Sequence, residues 1–244
     1  MENLDKKVKG VVDIVFLMDA TGSMANCIQK LKENVMLFFR SLTEKSGNSI
    51  PPVKDWRAKI VGFRDYEADG AADWFVDNPF TRDVGELQRQ LDSLVATGGG
   101  DIPESLLDAM HAVISAPKSE SGVEDPGMWR ERHEAARGLI VFTDAPFKPV
   151  MVAPGCNNGT VADITNLCVQ EKILLTVVAP TSKLSGYECF DSLAAIRSAN
   201  YLPIPPGSSE DDSLLDKFLD DKTGLQETIR VIAKTLSKTA TAIL

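Results

Sequence analysis

The chain has 244 residues, of which 43% are apolar and 25% are charged, a makeup typical of a globular domain. Acidic side chains outnumber basic ones by 35 to 26, so the formal net charge is -9, and such a field disfavours nucleic acid and anionic membranes as partners. The length suits one α/β domain better than two, and we expect residues 1–244 to form a single domain whose core runs from about 11 to 242.

Apolar runs and helical periodicities alternate along the chain. Near-continuous apolar segments predict buried strands, and apolar residues at steps of three and four predict helices. The predicted order is strand 11–18, a helix from the turn at Gly22 to Leu42, strand 58–63, edge strand 74–76, helices 86–94 and 105–114, a polar loop 116–136, strand 139–142, helix 161–171, strand 174–179, helix 189–198, short strand 201–204 and a closing helix 225–243.

This alternation predicts an α/β fold with a doubly wound, mostly parallel central sheet, one antiparallel edge strand and helices on both faces. In such folds the ligand site lies beyond the carboxyl ends of the strands, near the switch in strand order. The polar side chains that follow the predicted strands are therefore the candidates for function.

Three turns rich in side-chain oxygen lie where the predicted strands end: the first and third follow a strand directly, and the second opens the helix that comes after the second and third strands. The first is Asp19-Ala20-Thr21-Gly22-Ser23, the second is Thr97-Gly98-Gly99-Gly100-Asp101-Ile102-Pro103-Glu104, and the third is Thr143-Asp144. Alternate residues of an extended turn place Asp19, Thr21 and Ser23 on one side. The turns supply only hard oxygen ligands, without His or Cys, which favours Mg²⁺, Mn²⁺ or Ca²⁺ over zinc or copper.

Helix capping is the simpler interpretation of each turn taken alone. Thr21 or Ser23 could cap the first helix, and the segment from Asp101 to Glu104 matches a capping box with proline in the first turn. Capping does not explain why three such turns follow the strands of one sheet in order. The combination therefore favours a cation site.

The same residues resemble a known family. The turn from Asp19 to Ser23 is similar to the Asp-x-Ser/Thr-x-Ser element of the metal-ion-dependent adhesion site of von Willebrand factor type A (vWA) domains, and Thr143-Asp144 is similar to its distal Asp element. The glycine-rich turn that ends at Glu104 resembles the Gly-Gly-Gly-Asp-x-Pro-Glu variant of hemicentin-like and alpha-kinase-associated vWA domains. The resemblance extends from about Val11 to the last predicted helix.

The resemblance implies a metal-dependent recognition module rather than an enzyme. It makes Asp19, Thr21, Ser23 and Asp144 ligands of Mg²⁺ (or Mn²⁺ or Ca²⁺), and it leaves the middle ligand open among Glu104, Asp101 and Thr97, in that order of preference. The cation would bind an Asp or Glu of a partner protein. Kinase, phosphatase or ATPase components are the assembly partners that the family implies.

Two other functions stay open: metal-assisted phosphoryl or ester hydrolysis at Asp19 and Asp144, and a metal-free structural subunit. The sequence has no Gly-x-Ser-x-Gly elbow and no Gly-Lys-Ser/Thr phosphate loop, and neither of its two histidines has an evident catalytic partner. Asp65, at the end of the second predicted strand, could reach the rim of the site, but a salt bridge with Arg64 or a solvated turn is the favoured interpretation. Asp69 and Asp73 of the same acidic loop are expected at the surface.

The start of the chain and its cysteines bear on location. No apolar signal region precedes the first predicted strand, and no segment is long and apolar enough for membrane insertion. The four cysteines lack metal-knuckle or redox spacing, so we expect reduced thiols and a cytoplasmic protein: Cys27, Cys156, Cys168 and Cys189.

Overall fold

Six strands form one sheet in the order β3-β2-β1-β4-β5-β6, and all neighbouring pairs are parallel except β2 and β3. The structure, a computed structural model, describes residues 10–43, 53–100, 103–179, 181–190, 199–203, 232–233 and 235–236. The strands are β1 (Val11–Asp19), β2 (Asp55–Phe63), β3 (Phe75–Asp77), β4 (Ala136–Phe142), β5 (Ile173–Ala179) and β6 (Ala199–Pro203).

Helices cover both faces of the sheet. They are α1 (Ala25–Thr43), α2 (Tyr66–Asp69), α3 (Val84–Ser93), α4 (Leu106–Ile114) and α5 (Val161–Gln170), with 3₁₀ helices at Gly22–Met24 and Thr181–Phe190. Successive side chains of a strand point to opposite faces, so β1 supplies both halves of the core. Phe16 and Met18 pack on the face covered by α1 and α3, whereas Val15 and Leu17 pack on the face covered by α4 and α5.

The predicted fold class is confirmed, including the antiparallel edge strand. The helix α2, which is only four residues long, was not predicted from the sequence. β2 begins three residues earlier than predicted, because Asp55 and Arg57 interrupt the apolar pattern although they pair with β1. Their polar groups are accommodated by ion pairs at the amino end of the sheet.

The last two predicted helices lie largely outside the described residues. Of the predicted helix 189–198, only Cys189 and Phe190 are described, and they end a 3₁₀ helix. Of the predicted closing helix 225–243, the described residues 232–233 and 235–236 are helical, and Ile232 and Leu236 are buried against the core.

None of the helices in the described ranges is long and apolar enough to cross a membrane. No disulfide joins two cysteines of the described chain, and Cys27, Cys156 and Cys168 are buried.

The polar loop between α4 and β4, residues 115–135, is fixed to the amino end of the sheet. The indole Nε1 of Trp129 donates to the Val113 carbonyl over 2.8 Å, and this tryptophan is fully buried. Next to it, the backbone and the side chain of Arg130 both donate to the buried carboxylate of Asp13 on β1. The sheet end opposite the candidate site is thus closed by charged residues.

Asp55, at the same end of the sheet, makes the stability of the fold sensitive to acid. Asp55 accepts hydrogen bonds from Arg82 and Arg130. Burial alone would raise the pKa of Asp55, but the two arginines outweigh burial and lower this pKa from 3.8 to about 2. The unfolded chain therefore binds the proton more tightly than the folded chain. The stability that ionised Asp55 contributes is complete above about pH 4 and is lost as the pH falls towards 2.

We expect the free energy of unfolding, measured in urea, to fall less steeply between about pH 4 and pH 2 in Asp55→Asn than in wild type. The reason is that the variant has no carboxylate at this position to take up a proton. Asp92→Asn, which changes an acid that is 56% exposed, serves as the control and should keep the wild-type slope. Equal slopes for the Asp55→Asn variant and wild type would contradict the assignment.

Candidate functional site

The carboxyl ends of β1 and β4 meet at the switch in strand order. β1 lies between β2 and β4, and the chain extends the sheet first on one side of β1 and then on the other. Because Met18 pairs with Phe142 in the parallel register, Asp19 lies beside Thr143. The topology therefore brings the first and third oxygen-rich turns together, although 124 positions separate Asp19 from Thr143.

A chain of close polar contacts joins the side chains of these two turns. Asp19 Oδ1 accepts from the backbone N of Thr21 over 3.0 Å and from its Oγ1 over 2.6 Å, and Asp19 Oδ2 accepts from Thr143 Oγ1 over 2.9 Å. Thr21 Oγ1 lies 3.3 Å from Ser23 Oγ, which donates to Asp144 Oδ1 over 3.0 Å. Each hydroxyl has one proton, which Thr21 donates to Asp19 and Ser23 donates to Asp144, so the Thr21–Ser23 contact holds two acceptor oxygens side by side. Because Thr143 and Asp144 are adjacent in the chain, these polar contacts form a closed ring.

The ring has a buried floor and an exposed edge. Asp19 is fully buried and Thr21 nearly so, whereas Asp144 is half-buried and Ser23 is exposed. Burial raises the pKa of Asp19 from 3.8 to about 6, and the negative charge of Asp144 adds to this increase although hydrogen bonds from Thr21 and Thr143 oppose it. A positive charge placed beside Asp19 would stabilise its ionised form.

Glu104 brings a further carboxylate close to Thr21 and Gly99. Its backbone N donates to the Pro146 carbonyl and its own carbonyl accepts from Lys148 N, each over 2.9 Å, so the segment that follows Asp144 holds it. Its side chain is buried, and Oε2 has no hydrogen-bond partner among the described residues. Burial raises the pKa of Glu104 to about 8, and the charges of Asp19 and three other aspartates contribute.

The other candidates for the middle ligand differ in position. Asp101 lies outside the described residues. Thr97 is exposed, and its backbone N donates to the Ala20 carbonyl over 3.0 Å. The structure thus brings Asp19, Thr21, Ser23, Asp144 and Glu104 together, and their role as metal ligands stays a prediction.

The glycine loop (residues 97–100) packs between Thr21 and α2. Gly98 and Gly99 have φ of +73° and +78°, which disfavours any residue with a side chain. A Cβ on Gly98 would lie 1.8 Å from Asp69 Oδ1, and one on Gly99 would lie 2.5 Å from Thr21 Cγ2. The loop can approach the site this closely only because both residues are glycine.

We therefore expect Gly98→Ala to be more damaging than the same change at Gly122. Gly122 has an equivalent φ of +76°, but a Cβ there would meet no described atom within 4 Å, so Gly122→Ala should cost only the conformational strain, about 1–2 kcal/mol of unfolding free energy. Gly98→Ala should cost more, because it also displaces Asp69. Chemical denaturation of the two variants would measure the difference, and equal losses would contradict the close contact.

The structure places next to the site several residues that the sequence pattern did not favour there. Asp69, expected at the surface, is half-buried and accepts a hydrogen bond from Gly99 N over 3.0 Å. Asp65 is buried, caps α2 and pairs with Lys148 over 2.7 Å. The hydroxyl of the buried Tyr187 donates to the Ala145 carbonyl beside Asp144. These are contacts between distant segments, for which the sequence carries no periodic signal.

The donors at the ring are suited to a hard cation. They are carboxylate and hydroxyl oxygens, the ligands that Mg²⁺, Mn²⁺ and Ca²⁺ prefer. Within the described ranges, no group of three or more His, Cys, Asp or Glu side chains is placed to hold a metal ion. A cation at this place would therefore need the hydroxyls of Thr21 and Ser23 as well as the carboxylates. The buried Glu104 Oε2, which lacks a partner in the described structure, is consistent with such a ligand.

Two contacts elsewhere bring a nucleophile close to a histidine. Ser121 Oγ lies 3.2 Å from His133 Nε2, but Ser121 donates to Glu134, and Glu134 faces that same Nε2 rather than Nδ1. This differs from a catalytic triad, in which the acid holds the other ring nitrogen. Cys156 Sγ lies 3.5 Å from His111 Nδ1, yet burial raises the pKa of the Cys156 thiol to about 11, which disfavours the thiolate.

Fold and site together define a doubly wound α/β domain with an oxygen-rich cluster at its topological switch point. Residues 13–123 match the sequence profile of the von Willebrand factor A domain family. The solved VWA domain of SpRpn10 is similar in structure with a TM-score of 0.53 and 14% sequence identity, over 86% of this chain and 95% of that one. The profile match covers slightly less than half of the chain, and the structural match shows that this chain shares the fold of that VWA domain.

A second solved structure, proximal thread matrix protein 1 from the mussel byssus, is similar with a TM-score of 0.49 and 13% identity. That match covers 92% of this chain but 46% of the mussel protein, so this chain corresponds to less than half of it. A comparison with curated protein sequences gave no match.

Proposed function

We propose that this protein is a non-enzymatic interaction module in which a divalent cation, Mg²⁺ (or Mn²⁺ or Ca²⁺), binds an acidic side chain of a partner protein. The observation that carries the proposal is the closed ring from Asp19 through Thr21 and Ser23 to Asp144. The ring places two carboxylates and two hydroxyls at the carboxyl end of the sheet, where α/β folds bind ligands.

The chain's residues have distinct tasks in this proposal. Asp19 holds the cation from the buried floor, and its orientation is fixed by the hydrogen bonds from Thr21 and Thr143. Thr21 and Ser23 offer neutral hydroxyl oxygens, which coordinate a cation without neutralising it. Asp144 completes the ring at its exposed edge. When bound, a divalent cation supplies a positive coordination position that attracts a carboxylate.

Glu104 is the preferred middle ligand. Its carboxylate lies beside Gly99 and Thr21, since a Cβ on Gly99 would be 3.0 Å from Glu104 Oε1. A bound cation would give the buried Oε2 a partner and would offset the repulsion from the neighbouring aspartates. The Gly-Gly-Gly-Asp-x-Pro-Glu loop is also the feature on which we assign the chain to the hemicentin-like and alpha-kinase-associated branch of vWA domains.

Isothermal titration calorimetry with MnCl₂ alone tests the cation. We expect one Mn²⁺ per chain and a higher melting temperature with metal, because a ligand that binds only the folded state stabilises it. A flat titration at millimolar Mn²⁺, together with an unchanged melting temperature, would favour the metal-free structural subunit instead.

A pair of pull-downs tests partner capture. Immobilised protein is incubated with cell extract in Mg²⁺ and eluted with EDTA, and proteins that elute are tested again with their exposed Asp and Glu residues changed to Asn and Gln. Loss of binding on such a change supports carboxylate capture. An EDTA-eluted protein whose binding survives all of these substitutions would overturn the proposal, and sustained hydrolysis of phosphate esters that Asp19→Ala abolishes would favour the hydrolase.

A further inference from the structure

The glycine loop is held in place by residues other than the proposed metal ligands. Two of its glycines adopt positive φ, and both have a neighbour closer than a Cβ tolerates: Asp69 for Gly98 and Thr21 for Gly99. The loop is therefore held between the β1 turn and α2. A hydrogen bond on each side fixes it, from Thr97 N to the Ala20 carbonyl and from Gly99 N to Asp69 Oδ2.

The short helix α2, which supplies Asp69, is itself firmly placed. The carboxylate of Asp65 caps its first turn, accepting from Glu67 N over 2.7 Å, and also pairs with Lys148 from the segment that follows Asp144. Tyr66 N donates to Ser105 Oγ over 3.0 Å, directly after Glu104. Thus α2 contacts both the segment that follows Asp144 and the segment that carries Glu104, and Asp69 extends from it to the glycine loop.

We infer that Asp69 is a positioning residue, which holds the glycine loop against Thr21 and thereby sets the cation affinity of the site without contacting the cation. The inference rests on the proposed function. Asp69 acts through its bond to Gly99 N. Gly99 lies between Thr21 and Glu104 so closely that a Cβ added to it would meet both side chains. Without that bond, the glycine loop loses its hydrogen bond to α2. The distance between the ligands on either side of the loop, Thr21 and Glu104, is then no longer fixed.

Mn²⁺ titration of three variants separates the bond from the charge. Asp69→Ala removes both and should weaken Mn²⁺ binding by about tenfold to hundredfold, the range expected for a hydrogen bond to a charged group. Asp69→Asn removes the charge but keeps an oxygen that can accept from Gly99 N. Its Mn²⁺ affinity should therefore stay within about threefold of wild type, a smaller change than the loss of one such hydrogen bond would cause.

Asp73→Ala is the matched control. Asp73 is exposed in the same acidic loop, and its carboxylate has no hydrogen bond within the described part of the chain, so this variant should bind Mn²⁺ as wild type does. Equal weakening by Asp69→Ala, Asp69→Asn and Asp73→Ala would mean that general charge, not position, sets the affinity, and would overturn the inference. Wild-type affinity in Asp69→Ala would overturn it as well.

Amide hydrogen exchange in metal-free protein keeps the inference testable even if no Mn²⁺ binds. We expect the Gly99 amide to exchange at least about tenfold faster in Asp69→Ala than in wild type, and to remain protected in Asp69→Asn. Failure of Mn²⁺ binding in wild type would remove the proposed function and the affinity claim with it. Unchanged Gly99 protection in Asp69→Ala would remove the positioning role by itself.

Discussion

Replacing Asp19 with Asn is expected to abolish Mn²⁺ binding while leaving the fold intact. Loss of residues that merely support metal ligands costs about tenfold to hundredfold in affinity, so loss of a ligating carboxylate should cost more than about hundredfold. Asn has nearly the shape of Asp, and the Thr143 hydroxyl can rotate to accept where it now donates. Removing the Asp19 charge also relieves its repulsion with Asp144, so the metal-free variant should melt no lower than wild type.

Melting curves with and without metal provide the measurement. At a Mn²⁺ concentration about a hundred times the Kd, wild type should gain about 2.7 kcal/mol, and Asp19→Asn should gain none. Asp92→Asn makes the same change at an exposed acid on α3 and should behave as wild type. Ser23→Ala, a change at the exposed edge of the ring, is a second variant whose folding is not in question, and it should bind Mn²⁺ more weakly. If Mn²⁺ stabilised Asp19→Asn as much as wild type, the cation would have to bind at another place in the protein.

Much of the fold was predictable because its main signals are periodic. The apolar runs that form β1, β4 and β5 are buried on both faces, so they stand out in the sequence. The meeting of Asp19 with Thr143 and Asp144 follows from the same pattern, since parallel strands end at one edge and the switch in strand order lies between β1 and β4. Neither conclusion needs the conformation of a loop.

The choice of the middle ligand among Glu104, Asp101 and Thr97 does depend on the conformation of a loop. The glycine loop (residues 97–100) turns at Gly98 and Gly99. Positive φ can be expected at glycine, but the direction in which the loop then runs cannot be predicted from the sequence. That direction depends on Asp69 and Thr21, two residues from other segments. The sequence therefore predicted a ligand somewhere in this loop and could only rank the candidates.

Charged residues inside the sheet are the other feature that pattern recognition misses. The sequence pattern places Asp13 inside the first predicted strand and Arg57 just before the second, without indicating a partner for either. In the folded protein they face each other, and Arg130 from the distant loop completes the group. A pairing of this kind is visible only when all three segments are placed.

This buried group leads to the second large effect, an expected loss of about 3–5 kcal/mol in unfolding free energy for Asp13→Ala. The carboxylate of Asp13 is fully buried and accepts from Arg57 Nε and Nη2 over 3.0 and 2.9 Å, and from Arg130 N and Nε over 2.9 and 2.8 Å. The side chains of Arg57 and Arg130 are only 3% and 5% exposed. Without Asp13, two cations would be left in the interior with less compensation.

Guanidinium chloride unfolding measures the loss, with Asp92→Asn as an exposed control that should stay within about 0.5 kcal/mol of wild type. If Asp13→Ala does not fold, Arg57→Lys still tests the group, because lysine keeps the charge but cannot form the paired bonds of the guanidinium, and it should lose measurable but smaller stability. Asp13 lies six residues before Asp19 on the same strand, about 20 Å away. The folded variants should therefore bind Mn²⁺ as wild type does, and a loss below about 1 kcal/mol for Asp13→Ala would contradict a structural role for the buried charges.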